Sequence, residues 1–428
     1  MMSFVNNRKI LTYISNFSGT RLLILVVLSI TARAGLMING RFSLFSSGSD
    51  APAYFASSLD LSTLGWFSPS IRYLPDYAAG YPLFLSIFRI LWGEHWWIFI
   101  QIIQHALFIF ATLKFFKILK GKIIGIAPDL ILLLSLFMPV FLYSPSEIMY
   151  ESLIASSLML MFYYFFRLLN STEFTLNLVL LTVITSFAIF IQPKIVLVEA
   201  LMFGLFVLNG KTKIAILSLV SIISIVFLSV RNYIIYGAAT LSTNFGTAIR
   251  VGNENLNIPF TENLDPGAPS YDKQYIYTAY KYLFLHPLEF LTRTAKQFLE
   301  FFGPLNGAGL PSGRGSTWHH GLDSKRFFLL ISDESNLNVL YVFEIIVLFI
   351  CFLIGILGVY YLGKNREKLL LSMMLGPIVS FICVHVISDG DARYRIPVMP
   401  FCFSLLVIGA VTIVGKIFPH SKHDQRFI

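Results

Sequence analysis

Apolar runs long enough to cross a bilayer as helix, about 17 to 25 residues each, recur from one end of this 428-residue chain to the other. Soluble cores do not consume segments of that length so often. The chain is 56% hydrophobic and 13% charged and carries 41 phenylalanines, a balance that calls for lipid. A membrane barrel would instead alternate apolar and polar residues in segments of about ten. The expected fold is therefore all-α and polytopic, a single transmembrane domain over 1–428. Its spans fall near 21–40, 96–118, 123–143, 147–167, 175–191, 194–209, 212–230, 339–363, 369–388 and 396–416, about ten in all.

The net charge of +9 does not gather on one face or tail, as nucleic-acid binding would require; it sits in short clusters between apolar runs. With the N-terminus in the cytoplasm, Arg8, Lys9, Lys114, Lys117, Lys120, Lys122, Lys211, Lys213, Lys364, Arg366, Lys368, Lys416 and Lys422 all fall on that side. This satisfies the positive-inside rule and leaves both termini cytoplasmic. The opposite side then carries two long loops, 41–95 and 231–338, and short turns at 144–146, 192–193 and 389–395. Arg8, Lys9, the apolar Leu22 to Ile30 and the small-residue run Ala32-Arg33-Ala34 also fit a cleavable signal peptide, an alternative that leaves the downstream orientation unchanged. Cys351, Cys383 and Cys402 all lie in apolar runs and offer neither a disulfide framework nor zinc spacing.

Within the second loop, Pro287 suits a helix first turn and Gly303-Pro304 stops the run. Leu288, Leu291, Ala295, Phe298, Leu299 and Phe302 recur at helical spacing opposite Glu289, Arg293, Lys296 and Glu300. That pattern predicts an amphipathic helix lying along the outer interface.

The residues able to do chemistry gather on the outer side. Asp50, at the mouth of the first span, could accept a proton from an attacking hydroxyl or amine, hold a metal, or simply cap a short helix. Glu147 and Glu151, four apart, predict a shared helix face with Glu151 a turn deeper, where an ionisable group faces a cavity or a partner. Arg393 and Arg395, separated by Tyr394 and fixed by Pro397, can present forked donors to phosphate, or snorkel from the last span. Lys194 and Arg231 are candidates of the same kind at the same depth. His319, His320 and Asp323 do not close a metal shell. His95, His105 and His385 read as satisfied interfacial residues, Asp389 and Asp391 as a solvated turn, and Gly313-Arg314-Gly315 as too short for a nucleotide loop.

Taken in order, several motifs resemble those of the GT-C membrane glycosyltransferases. They are Asp50-x-x-x-Tyr54, Gly80-Tyr81-Pro82-Leu83-Phe84-Leu85, Ser146-Glu147 with Glu151, and Gln192-Pro193-Lys194. Arg231-Asn232-Tyr233, His286-Pro287-Leu288-Glu289-Phe290 and Arg393-Tyr394-Arg395-Ile396-Pro397 complete the series. The likeness is to the protein-mannosyltransferase and aminoarabinose-transferase-like group, from which the chain departs at Gln192, where arginine often precedes the proline.

The resemblance implies a GT-C-like fold with two long extracytoplasmic loops containing interfacial helices. It implies an enzyme that moves a sugar, with inversion, from a polyprenyl-phosphate carrier to a lipid, glycan or protein acceptor outside the cytoplasm. Asp50 would be the base or acceptor-orienting group. Arg393, Arg395, Lys194, Arg231, Tyr54, Glu151, Tyr81, His286 and Tyr394 would bind substrate or phosphate. No cofactor is required, and no residue pattern supports a divalent metal. The partners implied are the lipid-linked donor, the acceptor and membrane lipids, with no nucleic acid. The location implied is a bacterial inner or plasma membrane, the site facing periplasm or exterior. Two other readings stay open: a transporter or flippase of a lipid-linked sugar, for which related halves and broken helices would be the sign, and a polymerase or ligase of lipid-linked glycans.

Overall fold

The computed structural model describes residues 19–38, 50–74, 78–123, 125–146, 148–170, 174–242, 269–302, 334–365, 367–387 and 392–417. Among the described residues every regular element is helical. In chain order these are α1 (Thr20–Ile38), α2 (Ala51–Leu64), α3 (Gly80–Trp92), α4 (Trp96–Lys122), α5 (Ala127–Phe137), α6 (Pro139–Tyr143), α7 (Glu151–Asn170) and α8 (Phe174–Ile191). They continue as α9 (Val196–Leu208), α10 (Thr212–Ser218), α11 (Ile223–Tyr236), α12 (Pro269–Leu285), α13 (Pro287–Phe302), α14 (Glu334–Lys364), α15 (Lys368–Ile387) and α16 (Met399–Ile417).

Six helical stretches among the described residues are long and apolar enough to cross a bilayer: Gly80–Lys122, Glu151–Leu169, Phe174–Ile191, Thr212–Tyr236, Lys368–His385 and Tyr394–Gly415. A seventh is added if the bent pair α5 and α6 counts as one span. This is a helical membrane protein, with six or seven qualifying stretches where ten were expected. Two of the expected spans depart from that length for local reasons. α9 holds only 13 residues, about 20 Å of helix and well short of the hydrocarbon, while the segment at 123–143 is broken by a proline.

α7 is the central helix, with 89% of its apolar window buried, as expected of a helix that is apolar all round. Two of its serines are satisfied within the helix: Ser156 and Ser157 donate to the carbonyls of Ser152 and Leu153 at 2.7 and 2.8 Å. The break lies at Met138, whose extended backbone (ψ 136°) is what a residue before proline adopts. Beyond it the helix axis turns by 60°.

The carbonyls that this break frees must be satisfied inside the bundle. Arg33 of α1 does much of that, donating to Phe141 O at 2.7 Å and to Leu136 O at 3.4 Å, with Ser29 Oγ at 3.3 Å on its Nε. Its remaining bond runs to His105 Nδ1 at 3.0 Å. A guanidinium only donates, so Nδ1 accepts and the His105 Nε2–H is left to donate to Ser146 Oγ at 2.9 Å. Gln101 and Gln104 take the carbonyls of Ser146 and Pro145 at 2.6 and 2.9 Å. Arg33, read from sequence as part of a small-residue run, is thus a fully buried tie between α1 and the bend.

Two close backbone approaches fix the rest. A Cβ on Gly80 would lie 1.6 Å from Phe190 O, so only glycine lets the start of α3 meet the end of α8. α14 and α16 meet in the same way: a Cβ on Gly358 would lie 2.1 Å from Leu405 O, and one on Gly409 1.9 Å from Ile354 O. Between α2 and α3 the chain is held by Asp60, which accepts from Arg72 through its backbone N–H, Nε and Nη2 at 2.9, 2.9 and 2.8 Å. These bonds hold the Asp60 carboxyl below its ordinary pKa. The next residue, Tyr73, takes up the turn at φ 61°, a conformation side chains rarely adopt.

Candidate functional site

Asp50 stands immediately before α2. Its carbonyl accepts the Tyr54 N–H at 3.0 Å while its carboxylate makes no capping bond to the helix it begins. The side chain is therefore not spent on the cap that its position would suggest. One turn on, the buried Tyr54 ring meets Tyr81 edge to face at 5.1 Å and Tyr150 at 6.0 Å. Tyr81 and Tyr150 close the triangle at 6.1 Å. Edge-to-face packing of this kind fixes ring orientation as well as contributing apolar contact.

Tyr150 carries the cluster across to the end of α8. Its hydroxyl accepts from Gln192 Nε2 at 3.2 Å, and Gln192 leads through Pro193 into a single 3-10 turn holding Lys194. There Lys194 Nζ lies 3.3 Å from His385 Nε2 and 5.2 Å from the centre of the Tyr394 ring. His385, in the last turn of α15, stacks on Tyr394 at 4.1 Å with the planes 18° apart and on Phe301 at 6.1 Å. Tyr394 and Arg395 belong to the 3-10 segment Ala392–Val398 that leads into α16, and Arg395 Nη1 donates to Phe301 O at 3.3 Å.

Among the residues expected from sequence, the structure brings Tyr54 and Tyr81 together by ring contacts and gathers Lys194, Tyr394 and Arg395 around His385 and Phe301, while Asp50 begins the helix that carries Tyr54 and the chain from Gln192 to Lys194 joins the two groups. Glu151 is buried beside Tyr150 at the start of α7. α7 begins at Glu151, and Glu147, expected to share its helix face, lies outside the described residues. Arg393 opens the same 3-10 segment as Arg395, but its side chain lies outside the described residues, as do Asp389, Asp391, His319, His320, Asp323 and Gly313 to Gly315.

Two other expected residues stand apart from the series. Arg231 is buried on α11, donating from Nε to Trp66 O at 2.9 Å and from Nη1 to Asn232 Oδ1 at 2.8 Å. Those bonds tether α11 to the segment after α2. His286 sits at the exposed corner between α12 and α13, stacked on Tyr282 at 4.2 Å and 3.8 Å from Glu289. Tyr282 donates to Glu289 at 3.0 Å, and holding its proton there raises the phenol's pKa.

One residue of the amphipathic α13 departs from the expectation. Leu288 and Leu291 are 79% and 62% exposed and Ala295 is exposed too, whereas Arg293, expected on the solvated face, is buried. The helix turns Phe301 toward the bundle and its leading leucines outward, because α15 and the Ala392–Val398 segment are what it packs on. His385, expected to be a satisfied interfacial residue, turns out to be the centre of the Lys194 cluster. Its place in the last turn before Arg393-Tyr394-Arg395 was the available signal. Among the described residues no group of three His, Cys, Asp or Glu side chains could hold a metal ion.

No family model and no curated protein sequence matches the chain. Among solved structures it is similar to the archaeal oligosaccharyltransferase AglB from Archaeoglobus fulgidus, determined in complex with an inhibitory peptide and a dolichol-phosphate. The two are 14% identical, with a TM-score of 0.48 over 94% of this chain and 52% of that one, so this chain spans about half that protein's length. A likeness this slight carries no argument about activity.

Proposed function

We propose that this protein is a membrane glycosyltransferase that passes a sugar from a polyprenyl-phosphate carrier to an acceptor outside the cytoplasm. The observation that carries the reading is the series of contacts running from the helix begun by Asp50, through Tyr54, Tyr150 and Gln192, to Lys194, Tyr394 and Arg395. It joins a carboxylate, a wall of aromatic rings and a pair of cations drawn from distant parts of the sequence. Those are the three things such a transfer needs. Asp50 takes the proton of the acceptor hydroxyl as its oxygen bonds to the anomeric carbon. The bond from that carbon to the phosphate oxygen breaks with inversion, and the electron pair leaves with the phosphate monoester. Lys194 and Arg395 meet the charge that develops there, with Arg393 beside them in sequence and Glu151 toward the sugar. Fixed cations of this kind supply much of the rate when the leaving group is an anion. The aromatic rings suit the apolar faces of a sugar, and the positive-inside distribution of lysines supports an outward-facing site.

A transporter of lipid-linked sugar is the second reading, favoured by the broken helix at Met138. The Leu136 carbonyl freed there, however, is taken up by Arg33 and Ser29. Reconstitution in liposomes with a sugar-linked polyprenyl phosphate tests both. Acceptor-dependent release of the polyprenyl phosphate is expected, and Asp50→Asn should lower its rate at least ~100-fold with folding intact. Movement of intact carrier across the bilayer with no cleavage of the sugar–phosphate bond would sink the enzyme reading.

A further inference from the structure

We propose that Glu199 is a proton-binding site: a carboxyl kept neutral inside the bundle, with its proton lying toward the Ser218 hydroxyl and joining α9 to α10. Glu199 stands in the first turn of α9 and is the one titratable residue of that helix. The side chain is 1% exposed, and neither of its oxygens has a hydrogen-bond partner among the described residues. The polar group facing it is the Ser218 hydroxyl, itself buried and donating to the carbonyl of Ala215 at 2.9 Å. A hydroxyl has a single proton, so toward Glu199 Ser218 can only accept. An ionised carboxylate only accepts as well. The two groups can bond when the carboxyl brings the proton.

The surroundings supply nothing to hold an ion. The elements packed against α9 are α10, α15, the 3-10 turn Pro193–Ile195 and the 3-10 turn Leu219–Ile222. Their titratable groups are Lys213 of α10, Lys368, Cys383 and His385 of α15, and Lys194 of the first turn, while Leu219–Ile222 has none. Lys194 and His385 meet each other, Lys213 and Lys368 are exposed near the starts of their helices, and none of these groups bonds Glu199. The first turn of a helix favours a negative charge, but that preference is small beside the cost of an ion with neither partner nor water. What lies beyond Ser218 is neutral too: Ser221, three residues on and so eclipsed with it in a 3-10 turn, is wholly buried with its Oγ unmatched. Because α9 continues directly from the turn that holds Lys194, whatever seats α9 on α10 also seats that turn. Removing the proton leaves a bare anion between the two helices, which makes their contact sensitive to pH.

The alternative is an ionised Glu199 that draws the Ser218 hydrogen away from Ala215, and infrared difference spectra of the purified full chain separate the two. Glu199→Gln has nearly the shape of the protonated acid, and its amide can donate to Ser218 from the same place. At about pH 7, where an ordinary carboxyl is ionised, parent minus Glu199→Gln should show a carboxylic C=O band that moves when Ser218→Ala removes the acceptor. Carboxylate bands in its place, or a carboxylic band unmoved by Ser218→Ala, overturn the proposal. Should Glu199→Gln not fold, parent minus Ser218→Ala serves instead: a shifted carboxylic band supports the site and its absence overturns it. Thermal unfolding in detergent gives a second readout. A folded state that keeps a proton which the unfolded chain releases above about pH 4.3 loses stability as pH rises. Between about pH 5 and about pH 8 the unfolding temperature of the parent should therefore fall by several degrees relative to Glu199→Gln. Equal slopes, or a parent that gains on the variant as pH rises, overturn the proposal. Neither readout involves sugar transfer, so the result is independent of the glycosyltransferase reading.

Discussion

Among the described residues two cation–imidazole pairs, one buried and one partly buried, are surrounded in opposite ways. Arg33 and His105 meet at 3.0 Å inside a cage of backbone carbonyls released by the bend at Met138. Lys194 and His385 meet at 3.3 Å between stacked aromatic rings. In both the histidine must be the neutral acceptor. Carbonyl oxygens satisfy a guanidinium donor by donor, so the first pair is consumed in holding a broken helix together. Ring faces shape and orient the second pair and fix where it stands. The same two-residue chemistry is met by carbonyls in one place and by aromatic rings in the other, and the difference lies wholly in the surroundings.

That contrast can be broken experimentally. The largest effect should come from Arg33→Met, which strands the carbonyls of Leu136 and Phe141 and should destabilise the protein by ~3 kcal/mol, read as a lower unfolding temperature in detergent. Arg33→Lys should recover only part of this, since an ammonium cannot reproduce the fork. A Met variant as stable as the parent would show that the cage is not structural. Next, Gly80→Ala forces the start of α3 away from Phe190 and should cost ~2 kcal/mol, with weaker donor binding because Tyr81 and Gln192 lie on either side of that contact. Lys194→Met should do the reverse of Arg33→Met: donor affinity falls about tenfold, ~1.4 kcal/mol, while the unfolding temperature barely moves. If stability fell as far as in Arg33→Met, the two pairs would be alike.

The smallest effect concerns Asp60, which belongs to neither pair. Because Arg72 depresses its pKa in the folded state, its stabilising contribution is fully present above the unfolded value, about 3.9, and is lost as pH falls through the lower folded one. Limited proteolysis between α2 and α3 should therefore speed up only below about pH 4. Asp60→Asn should remove that pH dependence.

Much of this was legible in the sequence where a single segment decides the outcome. The helices at 20–38, 174–191 and 368–387 lie close to the runs that predicted them, because apolar length alone determines a span. Asp50, Lys194, Tyr394 and Arg395 could be picked out because charged groups at span ends are conspicuous against a lipid-facing background. What stayed hidden depends on several segments at once. Arg33 resembles part of a signal peptide until Pro139 is known to release carbonyls beside it. His385 is an ordinary span-end histidine until Tyr394 and Phe301 close on it. Arg293 belongs with them: periodicity puts it on the polar face of α13 but not under the elements that cover it.

Arg33 also sets a problem of timing. It lies 72 residues ahead of His105 and 108 ahead of Phe141, so during synthesis its helix is made long before the groups that accept from it. At ribosomal rates of about 5–20 residues per second, the wait is on the order of ten seconds. Through that interval a charge that costs about 3 kcal/mol at the middle of a lone helix has no partner of its own. The first helix must therefore be held near the translocon, or ride high in the membrane, until the bend arrives to receive it. Arg33 in this way makes α1 dependent on a segment made much later, and insertion becomes a cooperative act rather than a sequence of independent ones.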